Sequence, residues 1–304
     1  MDTVWGDVQG TDDAATPDGK FLYVPDSFAG GITGYAINQT SGGLTVLPGS
    51  PYAGFGVMRS IAIEATGRFA YVLAQSGLMN VYAINGTSGA LAMITGSPFS
   101  LSTNGANVAL HPTGRYAYFT DFLGTRVLAF AVDATTGVLA PITGPTVSLT
   151  GAGAIAADPL GRFVYASDLT NGTVTAFAVD ATTGALTAVA GSTTATGASP
   201  VSIAIDPLGK FVYVANLNGL SISAFAISAT TGGLTPVAGT PFFPPGGSRP
   251  SGLAVDASGK FLYAASLSPD GMAVFKIAPA TGALTVVGTL VPAGAGPLQV
   301  VVTH

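Results

Sequence analysis

The chain contains no cysteine, which excludes disulfides, thiolate chemistry and cysteine-based metal centres. Charge is scarce too: Lys, Arg, Asp and Glu make up 8% of 304 residues, against about a quarter in an ordinary globular chain. Such a chain has little with which to cover a solvated helical surface. The net charge is −5 and no basic run is present, which excludes a nucleic-acid backbone as partner. Gly, Asp or Pro interrupts every hydrophobic stretch, so none is long enough to span a membrane as a helix. The opening residues MDTVWGDVQGTDDAA lack a basic region followed by an apolar one, and no signal peptide is expected within this chain. There is one glutamate, Glu64, and two histidines, His111 and His304, so acid–base chemistry has few carriers. Phosphate loops, dinucleotide fingerprints, paired-histidine metal motifs and nucleophile elbows are all absent.

What is abundant is glycine, at 42 residues, with 20 prolines and 48% apolar side chains. That mixture suits short strands joined by tight turns. A Gly-Lys/Arg-aromatic triplet recurs at Gly19, Gly67, Gly114, Gly161, Gly209 and Gly259, spaced by 48, 47, 47, 48 and 50 residues. A near-constant period of this size marks a propeller blade or a solenoid unit. Within one period, VSIAI (201–205), KFVYVA (210–215), SISAFAI (221–227) and LTPVAG (234–239) read as four strands. Phe211 and Tyr213 alternate onto one face of the second strand. No segment keeps a helical period.

Four antiparallel strands per period predict an all-β propeller of four-stranded blades. The first-strand pattern recurs at 60–64, 107–111, 154–158, 202–206 and 252–256, and once more in PLQVVVTH at 297–304. TDDAAT, at the corresponding place before Lys20, lacks apolar alternation. The economical arrangement is six blades in one domain over residues 16–304, after a tail of residues 1–15. The C-terminal strand would complete the N-terminal blade and remove exposed sheet edges.

DPLGKFVYVAN, DPLGRFVYASD and DASGKFLYAAS, with the TGALT or TGGLT turns and GSP or GTP segments that follow, resemble the YVTN-type, lactonase-like β-propellers, also described as 6-phosphogluconolactonase-like. The resemblance spans residues 17–304. It implies seven blades where this chain supplies six, so either the ring is truly six-bladed or residues 1–15 are the remnant of a truncated seventh. It further implies, for active members, a His, Glu and Arg cluster in the central mouth. No residue here maps onto such a cluster: Glu64 and His111 fall in turns at the opposite end.

What recurs in every blade is explained by architecture; what does not is a candidate for function. Six of the ten basic residues belong to the repeat, leaving Arg59, Arg126, Arg249 and Lys276. Eighteen of the 27 aromatics sit at three recurrent strand positions. Phe28 and Phe122 fall in loops between second and third strands, and Phe55 and Phe243 in loops between blades. Propeller geometry brings both loop classes to one end, with Arg59, Arg249, Asp26, Asp121, Asp168 and Asn216. That face is the expected ligand or partner surface. No metal site and no cofactor are expected, because Asp26, Asp121 and Asp168 lie in different blades. Asn38, Asn85 and Asn171 each begin an Asn-x-Ser/Thr triplet, the acceptor pattern for N-glycosylation.

The leading expectation from these residues is a non-catalytic binding or self-assembling module, exported or at the cell surface. In its assembling form, TVWGDVQG pairs with a neighbouring copy and Trp5 anchors the contact. The alternatives are a hydrolase of small sugar or aromatic lactones, and a carbohydrate or small-ligand binder.

Overall fold

A computed structural model describes residues 13–26, 30–101, 104–123, 125–143, 147–294 and 296–302. Six antiparallel sheets follow one another along the chain. Blade 5 shows the plan: Pro200–Ile205 innermost, then Phe211–Asn216, Ser221–Ile227 and Leu234–Pro236. The innermost strands of blades 2, 3, 4 and 6 are Met58–Ile63, Gly105–Leu110, Ala152–Ala157 and Pro250–Val255. The expected six-bladed propeller of four-stranded antiparallel blades is the observed fold.

Each first hairpin is made by its turn. In blade 5 the Asp206 carboxylate accepts from the amides of Lys210 at 2.5 Å and Phe211 at 2.6 Å. Gly209 follows at φ +61°, a conformation that costs a side-chain-bearing residue about 1–2 kcal/mol. Glu64 serves the same slot in blade 2, accepting from the amides of Thr66, Arg68 and Phe69.

Closure departs from the expected arrangement. The innermost strand of blade 1 is Ala14–Ala15, paired with Tyr23 and Leu22, and not the C-terminal strand. The local turn explains this: Thr16 Oγ1 accepts from the Phe21 amide and Asp18 from the Lys20 amide, so two residues share the work of one aspartate. Residues 297–302 form no strand and lie against blade 6 instead. The Ser251 hydroxyl donates to the Pro297 carbonyl at 2.8 Å. A Cβ on Gly252 would come within 2.7 Å of Leu298 and Gln299 atoms, so only glycine admits this segment.

Blades interlock through the recurrent aromatics. Tyr23, Tyr71, Tyr118, Tyr165 and Tyr213 donate to the carbonyls of Gly89, Gly137, Gly184, Gly232 and Gly282 in the following blade, at 2.7–3.1 Å. All five tyrosines are fully buried. A ring from the same second strand packs against each of these glycines, as Tyr116 does against Gly184. Burial of each such aromatic stabilises by about 1.5–3 kcal/mol.

Glycines 184 and 191 separate backbone strain from interlock. Gly184 has φ +73° and an added Cβ would sit 2.3 Å from Tyr116; Gly191 has φ +69° and open space. Gly191→Ala should cost about 1–2 kcal/mol in denaturant unfolding. Gly184→Ala should cost about 1–3 kcal/mol more, from overpacking. Equal losses would show that the glycine does not hold the next blade.

Candidate functional site

The inner strands share a device that shapes the mouth of the central channel. In blades 2 to 6, pairing of the first with the second strand slips by one residue: between Met58 and Ser60, Gly105 and Val108, Ala152 and Ile155, Pro200 and Ser202, and Pro250 and Gly252. A bulge bends the strand and re-aims the side chain beside it. Arg59 occupies the bulge of blade 2 and is exposed, while Asn107 lies within that of blade 3.

A cavity of about 220 Å³ lies among the inner strands. Its polar side chains are Asp13, Asn107, Ser202 and Gln299, among aliphatic neighbours that include Val108, Ile203 and Leu253. Asp13 stands out against the repeat. It precedes its turn residue, Thr16, by three positions, the slot held by Ile61, Val108, Ile155, Ile203 and Leu253 in the other blades. One carboxylate thus replaces an aliphatic side chain in an otherwise apolar series. The Tyr35 phenol, on the third strand of blade 1, is pushed above its ordinary value by burial and then by the Asp13 charge. Sequence reasoning missed Asp13, Asn107 and Gln299. Comparing the slot three before each turn would have found Asp13.

The residues expected at the decorated face are distributed among several jobs. Asp121 is fully buried and pairs with Arg126 Nε at 3.3 Å. Asp168 is buried and accepts from the amides of Thr170 and Asn171 and from the Asn171 side chain. Asn216, also buried, bonds Gly197, Ser221 and Ser223. Asp26 follows the second strand of blade 1, and its backbone bonds Gly30 and Gly31. Arg249 is half-buried and donates to Asn218 at 3.0 Å. Phe55, Phe122 and Phe243 are exposed by 52%, 39% and 62%, leaving apolar surface at this end of the ring. Phe55 is held by its backbone, which the Asn80 side chain binds through both its oxygen and its nitrogen. Asn38, Asn85 and Asn171 are exposed, the first two closing turns through their side-chain oxygens. Phe28, Trp5 and His304 lie outside the described residues. No group of three or more His, Asp or Glu able to hold a metal occurs among the described residues. No helix of the described residues is long and apolar enough to cross a membrane.

Glu64 and His111 are turn residues, as their repeat position implied. His111 is buried, with Nδ1 at 2.7 Å from Thr113 Oγ1 and Nε2 at 2.9 Å from the Gly161 carbonyl.

A propeller whose central channel carries a carboxylate and two carboxamides is the class that fold and site define. The chain belongs to the lactonase family of seven-bladed β-propellers: the family model, "Lactonase, 7-bladed beta-propeller", matches residues 2–103 and 106–244. A putative 6-phosphogluconolactonase from Bacteroides uniformis has a TM-score of 0.80 at 24% identity, covering 95% of this chain and 87% of that one. Another, from Bacteroides fragilis, has 0.79 at 20%, covering 95% and 86%. The periplasmic gluconolactonase of Pseudomonas aeruginosa has 0.76 at 19%, covering 97% and 88%. These structures share the fold. No curated protein matches the sequence. The expectation of a non-catalytic binding or self-assembling module is overturned by this membership and by similar structures that carry gluconolactonase names. It rested on the scarcity of catalytic side chains, the low lysine content and the Thr/Ala/Gly-rich strands.

Acid should test the frame around this site. Burial pushes the Glu64 carboxyl up, but hydrogen bonds from Thr66, Arg68 and Phe69 outweigh it and hold it below its ordinary value; Asp256 is held down likewise by Ser258, Phe261 and Lys260. Hydrogen bonds from Thr16 and Lys20 bring Asp18 to about 2. Depressed carboxylates stabilise fully above the unfolded value near 4, and that contribution is lost as pH falls through the folded value. Melting temperature should therefore drop steeply below about pH 4. Glu64→Gln should cost about 1–2 kcal/mol at pH 7 and less at pH 3. A pH-independent cost would contradict the role of the charge.

Proposed function

We propose that this protein hydrolyses a lactone in the mouth of its central channel. The observation that carries this is Asp13, a carboxylate in an aliphatic slot, lining one cavity with Asn107 and Gln299. Lactone opening needs a base for water and donors for the developing oxyanion. Asp13 takes a proton from water, and the water oxygen bonds to the lactone carbonyl carbon. Asn107 and Gln299 line the same cavity, and their carboxamides are N–H donors of the kind the resulting oxyanion needs. The ring C–O bond then breaks, its oxygen takes the proton back from Asp13, and a hydroxy acid leaves. Arg59, exposed on the bulge of blade 2, suits a carboxylate or phosphate carried by substrate or product. Family membership and the gluconolactonase names of similar structures support the reaction class.

Turnover of gluconolactone and 6-phosphogluconolactone above the spontaneous rate is the expected result. Asp13→Asn should lower kcat by about 100-fold or more while leaving the melting curve in place. Arg59→Ala should raise KM, most for the phosphorylated substrate. A pure preparation inactive on both lactones, or full activity in Asp13→Asn, contradicts the proposal.

A further inference from the structure

Blade 4 departs from the repeat on the face it turns toward blade 3. Its third strand, Thr173–Val179, pairs with Thr194 and Ala195, which follow its outer strand, Leu186–Ala188. In that register Thr193 stands opposite Thr175, and their hydroxyl oxygens lie 3.0 Å apart. The place of Thr193 is held by a proline in blades 1, 2 and 5, at Pro51, Pro98 and Pro241. Blade 4 thus sets a hydroxyl where those blades set an apolar ring.

Asp168 departs in the same region. It ends the second strand opposite Thr173, as Asp121 ends that of blade 3 opposite Arg126. Asp121 has that arginine as its ion-pair partner, whereas among the described residues Asp168 has none. Asp168 is 3% exposed, and its three hydrogen bonds come from Thr170 and Asn171 of its own turn. A carboxylate has about four acceptor positions, so one is left for a donor from outside the turn.

Around these residues a groove of about 670 Å³ opens between blades 3 and 4. That is within the range of about 300–1,000 Å³ usual for small-molecule sites. Ser148 and Thr150 line it from the end of blade 3, and Thr173, Thr175, Thr187 and Thr193 from blade 4. Buried Leu149, Phe177 and Leu186 supply its apolar lining. Among the described residues no basic side chain lines it, and it shares no residue with the cavity of Asp13.

We infer that this groove is a second binding site, for an uncharged sugar or short oligosaccharide, independent of the proposed lactone hydrolysis. Hydroxyls both donate and accept, so a wall of them matches a ligand built of hydroxyls. One ligand hydroxyl donates to Asp168, in a charge-assisted bond that fixes its orientation. The apolar lining meets the C–H face of the sugar ring. The Asp168 charge, with no basic residue beside it, selects against acidic and phosphorylated sugars.

Threonine-methyl NMR tests the site without reference to activity. The labelled protein is titrated with glucose, galactose, mannose, N-acetylglucosamine, maltose, cellobiose and lactose. At least one should shift Thr173, Thr175, Thr187 and Thr193 saturably while leaving Thr33, the counterpart of Thr175 in blade 1, unmoved. Asp168→Asn should weaken that binding by about tenfold or more, and Thr193→Val by about threefold. Glucuronate and galacturonate should leave the four methyls in place. No saturable shift with any neutral sugar overturns the site, as does equal binding by the parent and both variants. Equal shifts with the acidic sugars overturn the selection against charge. Should Asp168→Asn fail to fold, Thr193→Val alone decides.

Discussion

The structure depends on one inter-blade contact: a buried tyrosine hydroxyl reaching a glycine carbonyl in the next blade, with an aromatic ring against that glycine. The contact joins residues 66 to 69 positions apart, so it couples repeats and not neighbours within one hairpin. It accounts for the near-constant period, because the tyrosine and the turn that meets it must keep their offset. It accounts also for the glycine, which supplies both a positive φ and the space a Cβ would fill. The basic residue of the repeat joins the same layer: Arg68 and Arg162 lie over Phe69 and Phe163 and donate to carbonyls of the following blade.

Because so much of the composition is committed to this contact, the fold was legible in the sequence. The alternation of Phe211 and Tyr213 placed both on one face, and that face is the interlock. Closure was not legible, for a local reason. The blade 1 turn divides between Thr16 and Asp18 what Asp206 does alone, so TDDAAT does not look like the strand and turn it forms. The PLQVVVTH segment has the right pattern for an inner strand, but pattern does not reveal that Gly252 seats its residues 298 and 299 against blade 6.

The site was less legible because its chemistry is a departure from the repeat and not a motif. Sequence reasoning sought charges and aromatics in loops, and most of those found there serve the loops themselves: Asp168 binds its own turn, Asn216 ties together two strands and a loop, and Asp121 meets Arg126. Asp13 immediately precedes a strand and is unusual only against Ile61, Val108, Ile155, Ile203 and Leu253. The repeat therefore serves best as an internal standard, slot by slot. The same comparison shows Tyr35, Phe261 and Tyr263 more exposed than their counterparts in the other blades.

The central claim is that the tyrosine–glycine interlock holds the five interfaces between consecutive blades, and that among the described residues Tyr263 makes no such contact. Paired unfolding of Tyr165→Phe and Tyr263→Phe addresses it most directly, since each removes one hydroxyl and nothing else. Loss of the Tyr165 hydroxyl should destabilise by about 1–2 kcal/mol, because the Gly232 carbonyl is left without its donor. Loss of the Tyr263 hydroxyl should leave stability unchanged. Equal destabilisation by both would mean that the ring is interlocked at blade 6 as elsewhere, and would contradict the account.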